Sequence, residues 1–177
     1  MNLHYELKIP KDRVAVLIGE KGSTKKKLEK LFQLTATIDS EEGDVFLDGE
    51  DSLLLHTAQT VVKAIGRGLN PDVAFTLANE DYVLETMDIT DFVGNAKNSI
   101  FRVRSRIIGS EGRTREYIEE LTDTHISIYG KTVAIVGQYE WVALARKAIE
   151  SLLAGQRHAT VYAWLEKHAQ DLQKSFY

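Results

Sequence analysis

Two short segments bounded by glycine offer backbone amides that could bind a phosphate. Gly19-Glu20-Lys21-Gly22 and Gly109-Ser110-Glu111-Gly112 share the spacing Gly-x-x-Gly and lie 90 positions apart. Glycine has no Cβ, so the backbone of such a loop can turn tightly and approach a ligand closely. If a helix begins directly after the loop, its first N–H groups have no intrahelical partner and suit a phosphate oxygen. The two segments are therefore candidate anion-binding loops.

Basic residues concentrate around both loops, although the formal net charge of the chain is −4. Residues 11–30 include seven basic and three acidic residues, and residues 102–115 include five basic and one acidic. Residues 39–51 have seven acidic and no basic residues, so the positive charge is local. Such patches are the electrostatic footprint of a nucleic-acid partner. The candidate phosphate-binding cations are Lys21, Lys25 and Lys26 at the first loop, and Arg104, Arg106, Arg113 and Arg115 at the second.

The two loops belong to an internal duplication. Leu17-Ile18-Gly19 aligns with Ile107-Ile108-Gly109, and the apolar positions that follow each loop also coincide. After two short gaps, Lys63-Ala64-Ile65 aligns with Lys147-Ala148-Ile149. A lone Gly-x-x-Gly arises by chance about once in 200 residues. The matching flanks therefore give the pair its significance.

In the first copy, residues 3–9 alternate between apolar and polar and predict a strand. Helical spacing predicts a helix before the first loop and another after it, and two short strands follow at 35–39 and 44–48. Asp51 is suited to cap a helix whose apolar face ends at Ile65. The element order is β-α-α-β-β-α.

The second copy predicts the same order. A strand at 82–89 precedes helices at 98–108 and 113–121, and Gly130-Lys131 joins two further strands in a tight turn. Asn70 and Pro71 predict the start of a helix in the connector. The C-terminal segment from Thr160 has apolar residues at helical spacing; we expect a helix packed on the second copy, and a docking surface for a protein partner is a compatible alternative.

The segments 18–22 and 108–112, each between two helices of a β-α-α-β-β-α unit, resemble the signature of type I KH domains. The resemblance implies an α+β fold of two tandem type I KH domains, each with a three-stranded antiparallel sheet covered on one face by three helices, plus a C-terminal helix. The expected bounds are a first KH domain at 1–68, a connector at 69–81, a second KH domain at 82–155 and the C-terminal helix at 156–177.

The KH resemblance also implies a site. The loop of a KH domain clamps roughly four nucleotides. Beside it, apolar residues of both helices and of the central strand form a floor for bases, whose edges are read by backbone groups of that strand. The implied floor contains Leu17, Ile18, Leu28 and Ile38, and Ile107, Ile108, Ile118 and Ile128. With the loops and cations, the expected RNA-binding residues are Ile18, Gly19, Glu20, Lys21, Gly22, Lys25, Lys26, Ile38, Arg104, Arg106, Ile108, Gly109, Ser110, Glu111, Gly112, Arg113, Arg115 and Ile128.

A narrower resemblance lies in the second copy and the tail. Residues 106–109, 118–122, 126–133 and 158–162 are similar to the second KH domain and tail of the archaeal and eukaryotic partner-of-Nob (Dim) family. These proteins are assembly factors of the small ribosomal subunit. The resemblance implies binding of single-stranded RNA, namely pre-16S rRNA near its 3′ end, and cooperation with the Nob-type endonuclease that matures it.

Other classes of function have little support. The chain has no cysteine, its five histidines lack paired ligand spacing, and no nucleophile elbow or P-loop is present. We therefore expect no enzymatic activity, metal, cofactor or small-molecule substrate. No secretory signal or membrane span is visible, which favours a cytoplasmic location without a membrane partner.

Two alternatives remain open at this point. Glu20 and Glu111 place a carboxylate inside each loop, which favours a KH-fold protein-interaction adaptor with little RNA binding. The acidic segment 39–44 could bind a cation, although a solvated loop is the more common outcome for such a run.

Overall fold

The chain folds into two units, Met1–Glu80 and Asp81–Tyr177. The computed structural model describes all residues from Met1 to Tyr177. Each unit contains the order β-α-α-β-β-α, as the duplicated pattern predicts. None of the helices combines the length and the hydropathy that a membrane span requires.

The first unit ends with an additional short helix. Its elements are β1 (Leu3–Lys8), α1 (Lys11–Ile18), α2 (Ser23–Phe32), β2 (Leu34–Ile38), β3 (Asp44–Gly49), α3 (Ser52–Gly66) and α4 (Pro71–Phe75). Asp51 caps α3, since its carboxylate accepts hydrogen bonds from the N–H groups of Leu53 and Leu54. Asn70 caps α4 in the same way, and Pro71 occupies its first turn. Both predicted helix starts are confirmed.

The second unit has two additional helices. Its elements are β4 (Tyr82–Asp88), α5 (Thr90–Val93), α6 (Lys97–Ile108), α7 (Arg113–Thr122), β5 (His125–Tyr129), β6 (Thr132–Gln138), α8 (Tyr139–Leu153) and α9 (His158–Ser175). The sequence pattern does not predict α5, a single turn that follows β4. Gly130 has φ 57° and, with Lys131, forms the predicted two-residue turn between β5 and β6.

Each unit has one three-stranded antiparallel sheet, with the orders β1-β3-β2 and β4-β6-β5. The last strand of each unit is therefore central, and β2 and β5 lie at an edge. The register repeats as well, because Ala36 opposes Leu47 and Ile126 opposes Ile135. The expectation that Ile38 and Ile128 belong to a central strand is wrong, since the central position is taken by the strand that pairs with both neighbours.

One face of each sheet packs on the helices. In α6 the buried residues Ile100, Val103 and Ile107 follow at spacings of three and four, so a single apolar stripe faces the sheet.

Glu85, the polar residue that disturbs the alternation of β4, forms an ion pair with Arg146 of α8 at 2.5 Å.

The C-terminal helix α9 packs on the second unit. Val161, Leu165 and Ala169 are buried in the core of that unit, one helical turn apart. The predicted packing of the tail is therefore confirmed. In the first unit, α4 lies against α3, and its residues Ala74 and Phe75 are buried.

Candidate nucleic-acid interface

The two glycine loops have nearly identical backbones. The first glycine has φ 77° in the first unit and 76° in the second, and the last glycine has φ 74° and 76°. Lys21 and Glu111, at the third position, are left-handed at φ 54° and 57°. A residue other than glycine in this region is uncommon and strained, and such strain collects at functional sites.

The first glycine of each loop is required by space as well as by conformation. A Cβ at Gly19 would lie 2.4 Å from Thr24 Oγ1, and one at Gly109 would lie 2.3 Å from Thr114 Oγ1. At Gly22 and Gly112 the nearest atoms would be 3.8 Å away. The last glycine of each loop is therefore required only because its φ is positive. Without a Cβ it also leaves the backbone accessible at the surface.

The loops present amide donors at a helix start. In each loop the N–H of the last glycine donates to the carbonyl of the first, at 3.1 Å and 3.2 Å. The two amides between the glycines precede that hydrogen bond and have no backbone acceptor. No side chain caps the start of α2 or α7. Both loops thus keep the donors and the dipole that favour an anion.

A glutamate fixes the edge strand beside each loop. The N–H of Ala36 donates to Glu29 Oε2 at 3.1 Å, and the N–H of Ile126 donates to Glu119 Oε2 at 3.0 Å. The N–H of Ile126 therefore points away from β6, the neighbouring strand. Residues two apart on a strand point their backbone groups the same way, so the N–H and C=O of Ile128 point away from β6 as well. In the first unit, Ile38 occupies the position that corresponds to Ile128. These backbone groups can read the edge of a base.

The apolar floor is narrower than the sequence implies. Ile18, Ile38, Ile108 and Ile128 are half-buried and can touch a base. The other four predicted floor residues, Leu17, Leu28, Ile107 and Ile118, are 0% exposed. Their role on the floor is wrong: they belong to the stripe that faces the sheet.

Lysines lie on the surface around the first loop. Lys21 and Lys26 are exposed and Lys25 is half-buried. Lys26 Nζ donates to the carbonyl of Lys21 at 3.3 Å, which brings a second ammonium against the loop. Lys27 lies elsewhere, with its ammonium 4.4 Å from the centre of the Phe75 ring.

Two of the four arginines predicted at the second loop are engaged in the fold. Arg106 donates to the carbonyls of Leu152 and Gln156, at 2.9 Å and 2.5 Å, and so ties α6 to the end of α8. Arg115 pairs with Glu119 at 2.8 Å. To contact a phosphate as predicted, Arg106 and Arg115 would have to give up these interactions within the fold.

The other two arginines are better placed to meet a ligand. Arg104 is half-buried, and its Nε is enclosed without a hydrogen-bond partner. Arg113 is exposed and lies 3.2 Å from Glu111 across the loop. At this exposure such an ion pair is weak, so a phosphate can replace it.

Helix α9 supports the second loop through contacts that the sequence pattern does not reveal. Tyr162 O–H donates to Thr114 Oγ1 at 2.9 Å, and His158 Nε2 lies 2.9 Å from the carbonyl of Arg106. Tyr117 O–H donates to Glu166. Burial, together with the Glu166 carboxylate, raises the pKa of Tyr117 to about 12, so this hydroxyl remains a donor.

Comparisons with known proteins agree with this geometry. A family model described as a eukaryotic-type KH domain (KH domain type I), for the second KH domain of PNO1, matches residues 83–170. The KH domain-containing protein MJ0443 of Methanocaldococcus jannaschii is 47% identical over 173 residues, which are 96% of this chain and 75% of the relative. RNA-binding protein pno-1 of Caenorhabditis elegans is 34% identical over 125 residues, 70% of this chain and 45% of that protein. The chain thus spans about half the length of its curated eukaryotic relatives.

Solved structures are also similar. Dim2p of Pyrococcus horikoshii is 47% identical with a TM-score of 0.87, over 93% of this chain and 99% of that one. A complex of a/eIF2alpha, aDim2p and rRNA from the same organism contains a chain that is 46% identical with a TM-score of 0.89, over 96% of both chains. A protein of Aeropyrum pernix is 36% identical with a TM-score of 0.92, over 99% and 95%.

Fold, loop and matches together define a type I KH-domain protein. More narrowly, the chain belongs to the PNO1/Dim2 family, whose members are RNA-binding factors of ribosome biogenesis and not enzymes. The resemblance to the partner-of-Nob (Dim) family is therefore confirmed.

Proposed function

We propose that the chain binds single-stranded pre-16S rRNA near its 3′ end during maturation of the small ribosomal subunit, and that both units are type I KH domains. The observation that carries the proposal is the pair of glycine loops with the same backbone, each opening a helix beside an edge strand. The KH family model covers the second unit. The first unit has the same element and sheet order, which supports the tandem arrangement.

Each part of the interface has a role in this proposal. Phosphates contact the loop amides, assisted by Lys21 and Lys26 in the first unit and by Arg104 and Arg113 in the second. Bases rest on the half-buried isoleucines, and the backbone of the edge strand reads their edges. The denser positive charge of the first unit supplies salt-sensitive affinity, and the second unit is the more specific reader.

A salt titration tests the proposal. Binding of a fluorescent oligomer from the 3′ region of small-subunit rRNA is measured by anisotropy between 50 and 300 mM KCl. For single strands the slope of log affinity against log salt is about −0.7 per phosphate neutralised. Three to five phosphates at the loops predict a slope of roughly −2 to −3.5. A slope near zero contradicts contact between the loops and the phosphates.

A protein-interaction adaptor is the second candidate. The exposed carboxylates of Glu20 and Glu111 lie inside the loops and favour it, because each repels a phosphate. The two functions are separated by Lys21→Asp, which lowers RNA affinity only if the first loop binds RNA. Unchanged RNA binding together with loss of a captured protein favours the adaptor.

We also propose a Nob-type endonuclease as protein partner and a cytoplasmic location. A partner that cleaves the 3′ end must meet the RNA near the site where this chain holds it. Copurification of the two proteins with and without RNase treatment tests the pairing: a complex that survives RNase is a direct protein contact.

A further inference from the structure

The second unit has a cavity of about 660 Å³ next to its glycine loop. It lies between α6, the start of α7 and the start of α9. Its volume falls in the range of roughly 300–1,000 Å³ that small-ligand sites occupy. The lining residues that matter below are Phe101, Arg102, Ser110, Arg113, His158 and Tyr162.

This cavity is distinct from the apolar floor. Ile108 and Ile128 do not line it. Arg102 and Ser105 lie three apart on one stripe of α6, and this stripe leads to Gly109, the residue that ends the helix. Arg104 and Ile108 form the neighbouring stripe. The cavity therefore meets the loop beside the floor, and a chain held by the loop amides can reach both.

The lining includes one exposed aromatic ring and two arginines that are not engaged in the fold. Phe101 is 73% exposed and stacks on no other ring. Arg102 is exposed and has no hydrogen-bond or ion-pair partner within the chain, and Arg113 has only the weak contact with Glu111. An exposed ring next to guanidinium groups is the combination on which single-stranded nucleic acids stack and neutralise their phosphates.

The walls of the cavity are held in place. The hydrogen bonds from Tyr162 to Thr114 and between His158 and the Arg106 carbonyl fix α9 against α6 and α7. At the corresponding place in the element order the first unit has only α4, a helix of 5 residues, where α9 has 18. The positions 90 residues before Phe101 and Arg102 are Lys11 and Asp12. The first unit therefore lacks the phenylalanine and the arginine that line this cavity.

We infer that this cavity binds the RNA nucleotide that flanks those held in the groove of the second unit. Its base stacks on Phe101, and its phosphate contacts Arg102 and Arg113. The inference rests on the proposed RNA-binding function and adds a subsite to it. It also gives α9 a role in RNA binding, as the outer wall of that subsite.

The test compares two RNA lengths on full-length protein. All proteins carry Gly22→Asp, so that the first loop does not contribute. A four-nucleotide RNA fills the groove, and an eight-nucleotide RNA with the same core adds flanking nucleotides. Phe101→Ala is expected to weaken the eight-nucleotide RNA about tenfold, in line with the loss of one stacked base. Its affinity for the four-nucleotide RNA is expected to stay the same.

Tyr139→Ala is the matched control, since Tyr139 is also an exposed aromatic residue of the second unit, at 65%, and does not line the cavity. It is expected to change neither affinity. Phe101→Trp is expected to restore binding of the longer RNA, because the larger ring also stacks.

Three outcomes overturn the inference. One is equal affinity of the parent protein for both lengths, and another is an equal loss for both lengths in Phe101→Ala. The third is competition by micromolar UMP that Phe101→Ala abolishes, which assigns the cavity to free mononucleotides. If the parent protein and the protein with an intact first loop both bind no RNA at all, the proposed function itself fails, and this subsite fails with it.

Discussion

At the scale of single residues, the two glycines of a loop have different tasks although their φ angles agree. Gly109 lies against Thr114, and a Cβ there would overlap with both the side chain and the backbone of that residue. A Cβ at Gly112 would meet its nearest atom at 3.8 Å, so this glycine is needed only for its conformation. The motif thus combines one glycine that permits close packing with one that leaves the surface free for a ligand.

This difference predicts unequal costs of substitution. Gly109→Ala has both a clash and a left-handed φ, and we expect a loss of about 3 kcal/mol of unfolding free energy. Gly112→Ala has only the φ and is expected to lose about 1 kcal/mol. Gly94→Ala is the control for Gly109, since Gly94 has nearly the same backbone, φ 74° and ψ −166° against 76° and 174°, and nothing lies within 4 Å of its added Cβ. Urea unfolding followed by tryptophan fluorescence reports on this unit, because Trp141 and Trp164 both belong to it; equal losses for Gly109 and Gly112 contradict the steric argument.

Some residues of the site can be recognised from the sequence and others cannot. Gly-x-x-Gly and the cations near it are visible because they are close together along the chain. The acceptors of Arg106 are backbone carbonyls 46 and 50 residues away, which carry no sequence signature. The sequence also does not reveal that the side chains of Leu17 and Ile107 are fully buried. An apolar residue next to a glycine loop can face the ligand or the core, and only the helix rotation decides between them.

At the scale of elements, most helices and strands could be predicted, because period and caps agree with the tertiary packing. Asp51 and Asn70 are examples in which a local hydrogen bond alone fixes the start of a helix. The position of β2 and β5 at the sheet edge could not be predicted, since strand order depends on pairing between distant segments. The contacts of α9 with the loop also depend on packing, which the apolar stripe of the helix indicates only in part.

The attachment of α9 predicts a dependence of stability on pH. Because the pKa of Tyr117 is raised from 10.0 to about 12, the native state retains this proton where the unfolded state loses it. The contribution is therefore fully present below about pH 10 and is lost as pH rises through about 12. We expect the stability difference between wild type and Tyr117→Phe to be constant up to pH 10 and to shrink above it.

Glu166→Gln refines this experiment. It removes the carboxylate that, after burial, raises the Tyr117 pKa, so the decline should still begin near pH 10 but should end at a lower pH and be smaller in total. Urea titrations at several pH values measure both variants. A difference between wild type and Tyr117→Phe that stays constant to pH 12 contradicts the coupling of α9 to α7.

At the scale of the whole molecule, the chain carries two loops that each contain a carboxylate. Each site alone is weakened by Glu20 or Glu111, but two sites on one chain raise the effective concentration of the RNA at the second once the first is filled. The acidic character of the rest of the molecule confines this affinity to the two basic patches. In the proposed binding mode, avidity therefore accounts for the binding of a polyanion by a chain with net charge −4.

Avidity predicts that either loop alone binds RNA more weakly than the two loops together. Gly22→Asp and Gly112→Asp add a charge where the nearest atom to the new Cβ is 3.8 Å away, so the cost to the fold is only that of the positive φ, about 1 kcal/mol each. Each is expected to weaken a 20-nucleotide rRNA oligomer at least tenfold, and the double variant to abolish binding. Gly94→Asp also adds a carboxylate at a glycine of positive φ, with nothing within 4 Å of the new Cβ and outside the loops, and it should leave anisotropy titrations unchanged. A double variant no weaker than one single variant shows that one loop does not contribute.

The most direct measurement follows the loop amides by ¹H–¹⁵N NMR while an rRNA oligomer is added. Glu20, Lys21, Ser110 and Glu111 are predicted to show downfield proton shifts and slower exchange at saturation, as new donors to phosphate oxygens should, and the Gly94 amide should not move. Saturated RNA binding that leaves all four loop amides unshifted contradicts the claim that these backbone donors hold the RNA.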